Sequence, residues 1–303
     1  MANSDACARS TAVGSSSHFP DGQPRPQIVV PREPDAAQIA EAVAAAERSD
    51  VAVAVVGDRI ELVGEGRSTA TLELVGGQRA LLEALAATGT PLVVVLLASK
   101  PLVLPDAVQA ASLVWVANPG MQGGRAIAEL LLGLIEPAGR LPISFARHAG
   151  QQPTYYNQIR GQHGDRYADL TQSPAHAFGE GLSYTTVAYE DVEILTPVVG
   201  AGDLVRARVT LSNTGSRPAH EIVQVYVRDS VTSVSWADKE LKAYRHVDLA
   251  PGETATVEVS VAAADCTIVD AGGTRIVEPG AFELLIGPSS RDEVLQPVGF
   301  EIR

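Results

Sequence analysis

DAAQIAEAVAAAERSDVAVAVVGD, residues 35 to 58, decides the fold. Its first part is alanine-rich and of helix length. Its second, VAVAVV closed by Gly57, is a short continuous apolar run of the kind a fully covered strand presents. Helix followed by covered strand is how a parallel α/β layer reads, because crossover helices shield both faces of the sheet. The pattern recurs downstream. GGQRALLEALAATGT (76–90) reads as a helix, PLVVVLLAS (91–99) and ASLVWVAN (111–118) as strands, and MQGGRAIAELLLG (121–133) as a third helix. This series predicts an α/β domain with a parallel sheet over residues 34–150.

Beyond Leu195 the period changes to two. LVRARVTLSNTG (204–215), EIVQVYVRD (221–229), TATVEVSVA (254–262) and AFELLIG (281–287) alternate, with NTGSRP, APGE and EPG as turn signals between runs. Residues 196–303 thus have the length and pattern of an immunoglobulin-like β-sandwich. Residues 151–195 read as a long linker whose aromatic and polar content points to function rather than disorder. Residues 1–33, dominated by Ser, Pro and Gly, read as an irregular N-terminal arm.

At 303 residues the chain has room for two domains. Its 23 basic and 36 acidic residues give a net charge of −13, which repels a phosphate backbone and argues against nucleic acid as a partner. No apolar run reaches the ~20 residues needed to cross a bilayer, so no membrane partner is expected. The start of the chain does not read as a secretory signal. Cys7 and Cys266 lack metal-ligand or framework spacing, and Cys266 reads as a small buried hydrophobe. Neither a metal nor an organic cofactor is implied.

Several catalytic signatures fail on inspection. HEIVQ (220–224) lacks the second histidine of a zinc helix and lies in a strand pattern, and GLSYT (181–185) fails as a nucleophile elbow. GEG (64–66) lacks the third glycine of a dinucleotide fingerprint. What remains is the excursion after VAVAVVG. Ligands of open α/β sheets bind at the carboxyl ends of strands, which makes Asp58, Glu61, Glu65 and Glu73 candidates. Glycines on both sides of Glu65 suit it to projection from a loop tip, although a solvated loop carboxylate is the default reading of the spacing alone. Trp115 reads as a core strand residue, Trp236 as an interface or packing residue, and Gly120, Gly123 and Gly124 as a tight turn.

Seven stretches in order, GDRIELVGEGRSTATLEL, GGQRALLEAL, ANPGMQGGRAIAELLLG, PAGRLPISFARHAGQQPTYYN, FGEGLSYT, VRDSVTSVSWADKELKAY and VEPGAFELLIGPSSRD, resemble glycoside hydrolase family 3. The resemblance covers roughly Asp35 to Arg303. It implies a β-glucosidase or β-xylosidase type of enzyme acting on a carbohydrate substrate. It further implies an architecture of (β/α)8 barrel, α/β sandwich domain and fibronectin type III-like domain, of which this chain matches the last two. The loop matching GEGR carries the family's general acid/base glutamate, which makes Glu65 that residue here; RST replaces the Asp-Arg pair many members have beyond the glycine. The nucleophile-bearing barrel has no counterpart in the chain, and the α/β domain is short at its beginning. By the same resemblance Arg67, His163, Asp165, Arg166 and Tyr167 are candidate sugar contacts.

Retaining hydrolysis needs two carboxyl groups ~5 to 5.5 Å apart, one attacking the anomeric carbon and one protonating the leaving oxygen. Three readings are therefore open. The chain is the acid/base portion of a β-glycosidase, completed by a barrel-containing chain or a longer precursor; or a non-catalytic carbohydrate-binding or interaction module; or an enzyme whose nucleophile is Asp58 or comes from a second copy in a homo-oligomer.

Overall fold

The computed structural model describes residues 23, 33–59, 62–64, 69–108, 111–159 and 167–303, which divide into two compact units. The first runs to Gly123 and includes Arg147–Gly150. It opens with α1 (Ala36–Ala46), capped by Asp35, whose carboxylate accepts from the amides of Ala37 and Gln38 at 3.0 and 3.1 Å. These bonds satisfy two of the N–H groups every helix start leaves open. Then follow β1 (Ala52–Gly57), α2 (Gln78–Ala87), β2 (Leu92–Leu97) and β3 (Ser112–Val116). The strands form a parallel sheet in the order β1-β2-β3, with Ala52 opposite Leu92 and Val93 opposite Ser112.

β2 is the central strand, and its Val94, Val95 and Leu96 are fully buried, as an apolar run covered on both faces should be. β1 departs from that expectation. Ala54 and Val56 are buried, but Val53 and Val55 on the other face are 51% and 61% exposed. The helices account for the asymmetry: α1 packs on α2 and α2 on β1, so one face of this edge strand is covered.

The second unit comprises residues 124–146 and 151–303. Most of α3 (Gly123–Leu131) lies in it, followed by β4 (Val187–Ile194), β5 (Val198–Val199), β6 (Leu204–Asn213) and β7 (Ala219–Asp229). After these come β8 (Glu240–Leu249), β9 (Thr254–Ala262), β10 (Ile268–Val269), β11 (Arg275–Ile276), β12 (Gly280–Gly287) and β13 (Gln296–Ile302). A five-stranded sheet β5-β13-β12-β7-β8 and a three-stranded sheet β4-β6-β9 are accompanied by the small β10-β11 pair. In β6 the alternation is literal: Val205, Ala207, Val209 and Leu211 are fully buried, and they join Val223, Val225, Leu284 and Ile286 in one core. Sheet-on-sheet burial of alternate residues is what drives this layer together.

The aromatic stretch before β4 is packed in this unit. Tyr156 stacks on Phe178 with ring centroids 4.3 Å apart, and its hydroxyl accepts from the Leu241 amide. Burial pushes that hydroxyl's pKa up. Arg140 donates to Glu221 at 2.9 Å and Tyr189 donates to the same carboxylate at 3.0 Å. Burial first, and the Glu221 charge second, drive the Tyr189 pKa far above the usual phenol range. Arg291 pairs with Glu180. Such paired buried charges are costly to break from one side.

Candidate functional site

The carboxyl ends of the three parallel strands carry Gly57 and Asp58 after β1, Ser99 and Lys100 after β2, and Asn118 after β3. Ser99 and Asn118 approach each other at 3.3 Å through their side chains. A cleft of about 370 Å³ opens beside β1, lined by Val55, Gly57, Asp58, Arg59, Gly77 and Gln78 among others.

Two devices define the end of β1. Gly57 has φ +144°, and a Cβ there would lie 1.9 Å from the Leu97 carbonyl oxygen, so only glycine lets β1 and β2 remain this close. Gln78, the first residue of α2, then accepts from the Gly57 amide at 2.7 Å and donates to the Gly57 carbonyl at 3.0 Å. Its side-chain amide occupies the position a neighbouring strand's backbone would take.

Asp58 follows immediately. Its side chain is only 5% exposed; Oδ1 faces the Lys100 ammonium at 3.9 Å, and Oδ2 is buried with no hydrogen-bond partner among the described residues. Lys100 in turn donates to the Thr69 hydroxyl at 2.5 Å. From Thr69 the chain is tied back to the segment after β2: Val103 donates to the Leu72 carbonyl at 2.7 Å, and Glu73 bridges Val103 in parallel. Glu73 sits in this bridge, with its carboxylate half exposed and 3.8 Å from Arg79. It belongs to the neck of the excursion. Gly64, with φ +107° and nothing within 4 Å of a Cβ, shows the backbone beside Glu65 in a conformation that favours glycine.

Of the residues singled out from sequence, Glu61, Glu65, Arg67, His163, Asp165 and Arg166 lie outside the described residues. Tyr167 is half-buried in the second unit. Trp115 is a strand residue whose indole N–H donates to the Ala98 carbonyl at 2.9 Å, and Trp236 donates to Glu240 at 3.2 Å. Gly120, with φ +67°, makes the turn into α3. Cys266 is 4% exposed, and burial pushes its thiol up to about 11. Lys100 and Gln78 were not singled out. Their only sequence signal is position, a glutamine opening one helix and a lysine three residues beyond the strand that follows it.

Residues 5–184 match the glycosyl hydrolase family 3 C-terminal domain, and residues 221–290 match a fibronectin type III-like domain. A periplasmic β-glucosidase of Salmonella typhimurium is 38% identical over 273 residues, covering 86% of this chain and 35% of that protein. A β-xylosidase of Formosa agariphila is 36% identical over 271 residues, covering 87% and 37%. Among solved structures, a β-glucosidase involved in saponin metabolism from intestinal bacteria superposes with a TM-score of 0.90 at 55% identity, over 97% of this chain and 42% of that one. The β-glucosidase of Listeria innocua superposes at 0.83 with 30% identity, over 89% and 39%. The chain therefore spans little more than a third of the length of the curated relatives it matches. An α/β layer followed by a β-sandwich, with these matches in this order, makes the chain a member of glycoside hydrolase family 3, corresponding to the C-terminal region of its β-glucosidases and β-xylosidases.

Proposed function

We propose that this chain is the acid/base-bearing portion of a retaining β-glycosidase acting on terminal, non-reducing β-linked sugars of the glucoside or xyloside type. Glu65 is the general acid/base. The observation that carries the reading is the placement of its segment: it leaves the carboxyl end of β1 at Gly57 and returns at Thr69, which is hydrogen-bonded to Lys100 just beyond the carboxyl end of β2. That is where a parallel sheet offers its ligands a site. The kinship with proteins named β-glucosidase and β-xylosidase supplies the substrate class.

The reaction divides between two carboxyl groups. The nucleophile attacks the anomeric carbon, while Glu65 gives its proton to the departing glycosidic oxygen; Glu65 then takes a proton from the water that releases the sugar. Asp58 is a poor source of the attacking group, since its side chain is 95% covered and faces Lys100. The nucleophile and the pocket for the cleaved sugar come instead from a (β/α)8 barrel, on a partner chain or a longer precursor, within the length that the relatives have and this chain does not span. Seating the barrel over the loop would also remove water from Glu65 and raise its pKa, keeping it protonated for the first step. Arg67, His163, Asp165, Arg166 and Tyr167 are proposed sugar contacts in that assembly.

The leaving group tests the acid role. In the barrel-complemented chain, Glu65→Gln is expected to slow cleavage of an alkyl β-glucoside by about 10² to 10⁴-fold. A dinitrophenyl glucoside, whose leaving group departs without a proton, should be slowed far less in its first step. Equal losses on both substrates would remove Glu65 from the acid role. Sugar binding unaffected by the substitution, with no turnover in any mixture, would identify a binding module instead.

A further inference from the structure

We propose that Lys100 is a positioning residue, clasping with one ammonium the two ends of the segment that carries Glu65. The inference rests on the acid/base reading above for its purpose, though not for its geometry. Asp58 is the first residue after β1, and Thr69 lies four residues beyond Glu65. The Nζ of Lys100 meets both: it donates to Thr69 Oγ1 at 2.5 Å and stands 3.9 Å from Asp58 Oδ1. The two ends of an eleven-residue step in sequence are thus brought within the reach of a single side chain.

The clasp has a rigid mount. Lys100 is three residues past the central strand β2, its side chain is 18% exposed, and its carbonyl accepts from the Leu102 amide at 2.9 Å. One end of the segment is further fixed by the Gln78 amide on Gly57, and the other by the pairing of Leu72 and Glu73 with Val103. Anchoring both ends lowers the entropy of whatever lies between them. It thereby reduces what substrate binding must spend on ordering the acid, whose misplacement by about 1 Å is worth roughly 10²-fold in rate.

Lysine suits the place chemically. Its ammonium is a compact charge with three rotatable donors, able to serve a hydroxyl and a carboxylate at once without the fixed planar fork of arginine. The Thr69 bond is made. The Asp58 side, at 3.9 Å, is a charge contact longer than a hydrogen bond.

Hydrogen exchange of the full chain, read by mass spectrometry on peptides covering residues 58–74, tests the clasp. Lys100→Met and Thr69→Val are expected to raise exchange there by about ten-fold while peptides from β6 and β7 keep their protection. Thr69→Ser, which keeps the hydroxyl, should restore the native rate. The proposal is overturned if exchange in 58–74 does not change in Thr69→Val. It is equally overturned if Thr69→Ser behaves like Thr69→Val, or if protection falls everywhere alike, since a core lysine of no positional consequence would do that. Should Lys100→Met fail to fold, the threonine pair alone decides. A loosened segment together with a Glu65→Gln variant that keeps full turnover in the barrel-complemented chain would uphold the clasp and remove the acid/base reading. An unchanged segment, with Glu65→Gln inactive in the barrel-complemented chain where the native residue turns over, would do the reverse.

Discussion

Gly57→Ala is the perturbation that most sharply tests how the base of the site is built. Two costs add at this position. An alanine held at φ +144° occupies a backbone region that residues with a Cβ avoid, at roughly 1–3 kcal/mol. The new Cβ would also stand 1.9 Å from the Leu97 carbonyl oxygen and 2.5 Å from its carbon, which are backbone atoms of the central strand and cannot swing aside. Separating β1 from β2 to relieve this overlap costs roughly another 1–3 kcal/mol, and it breaks the two Gln78 bonds. The total, about 2–6 kcal/mol, is a large fraction of the stability of a small domain. Gly89→Ala is the matched control: φ is +75° there, but nothing lies within 4 Å of a Cβ, so only the left-handed backbone is charged, about 1–2 kcal/mol. Guanidinium unfolding followed by Trp115 fluorescence, in a Trp236→Phe background, reads the first unit alone. If the two variants lose stability equally, within about 1 kcal/mol, the close approach of the strands is not what fixes glycine at 57.

In the second unit, Arg140→Met leaves the 6% exposed Glu221 without its ion-pair partner and should cost about 3–5 kcal/mol. Adding Glu221→Gln, which keeps an acceptor for Tyr189, should recover most of the loss, as a denaturation double-mutant cycle would show. Asp292 illustrates acid lability: burial raises its pKa, but Lys239 and Arg228 outweigh it and the net shift is downward. A carboxyl with a depressed folded pKa contributes stability that is present above its unfolded value near 4 and is lost as pH falls through the folded one. Asp292→Asn should therefore flatten the fall in melting temperature below about pH 4. Cys266, with its thiol pushed up to about 11 by burial, should resist a thiol reagent at pH 8 in a Cys7→Ser background until the chain is unfolded. Fast labelling of the native chain would show the thiol is accessible.

The two layers were legible because periodicity reports burial directly. The run VAVAVV and the alternation of LVRARVTL each name the faces that must leave water, and β1 and β6 formed there. Periodicity did not reveal that β1 is covered on one face, because an uninterrupted apolar run looks the same whether both sides of a strand are occupied or one. Lys100 and Gln78 escaped notice for a different reason. Neither is an unusual residue in an unusual pattern; each matters because the fold carries it to a partner 31 or 21 residues away, Thr69 and Gly57. Glu65 was reached from family resemblance added to flanking glycines. The burial of Asp58 against Lys100 had no signal in the sequence at all.

The measurement that bears most directly on the central claim is release of nitrophenol from aryl β-glucoside and β-xyloside. It would be made with the purified chain alone and with the chain spliced to the part of the Salmonella relative that it does not span, each beside Glu65→Gln. The account predicts silence from the chain alone, turnover from the spliced protein, and a loss of about 10²-fold or more on Glu65→Gln with a poor leaving group. Turnover by the unaccompanied chain, or a spliced enzyme indifferent to Glu65, would contradict it.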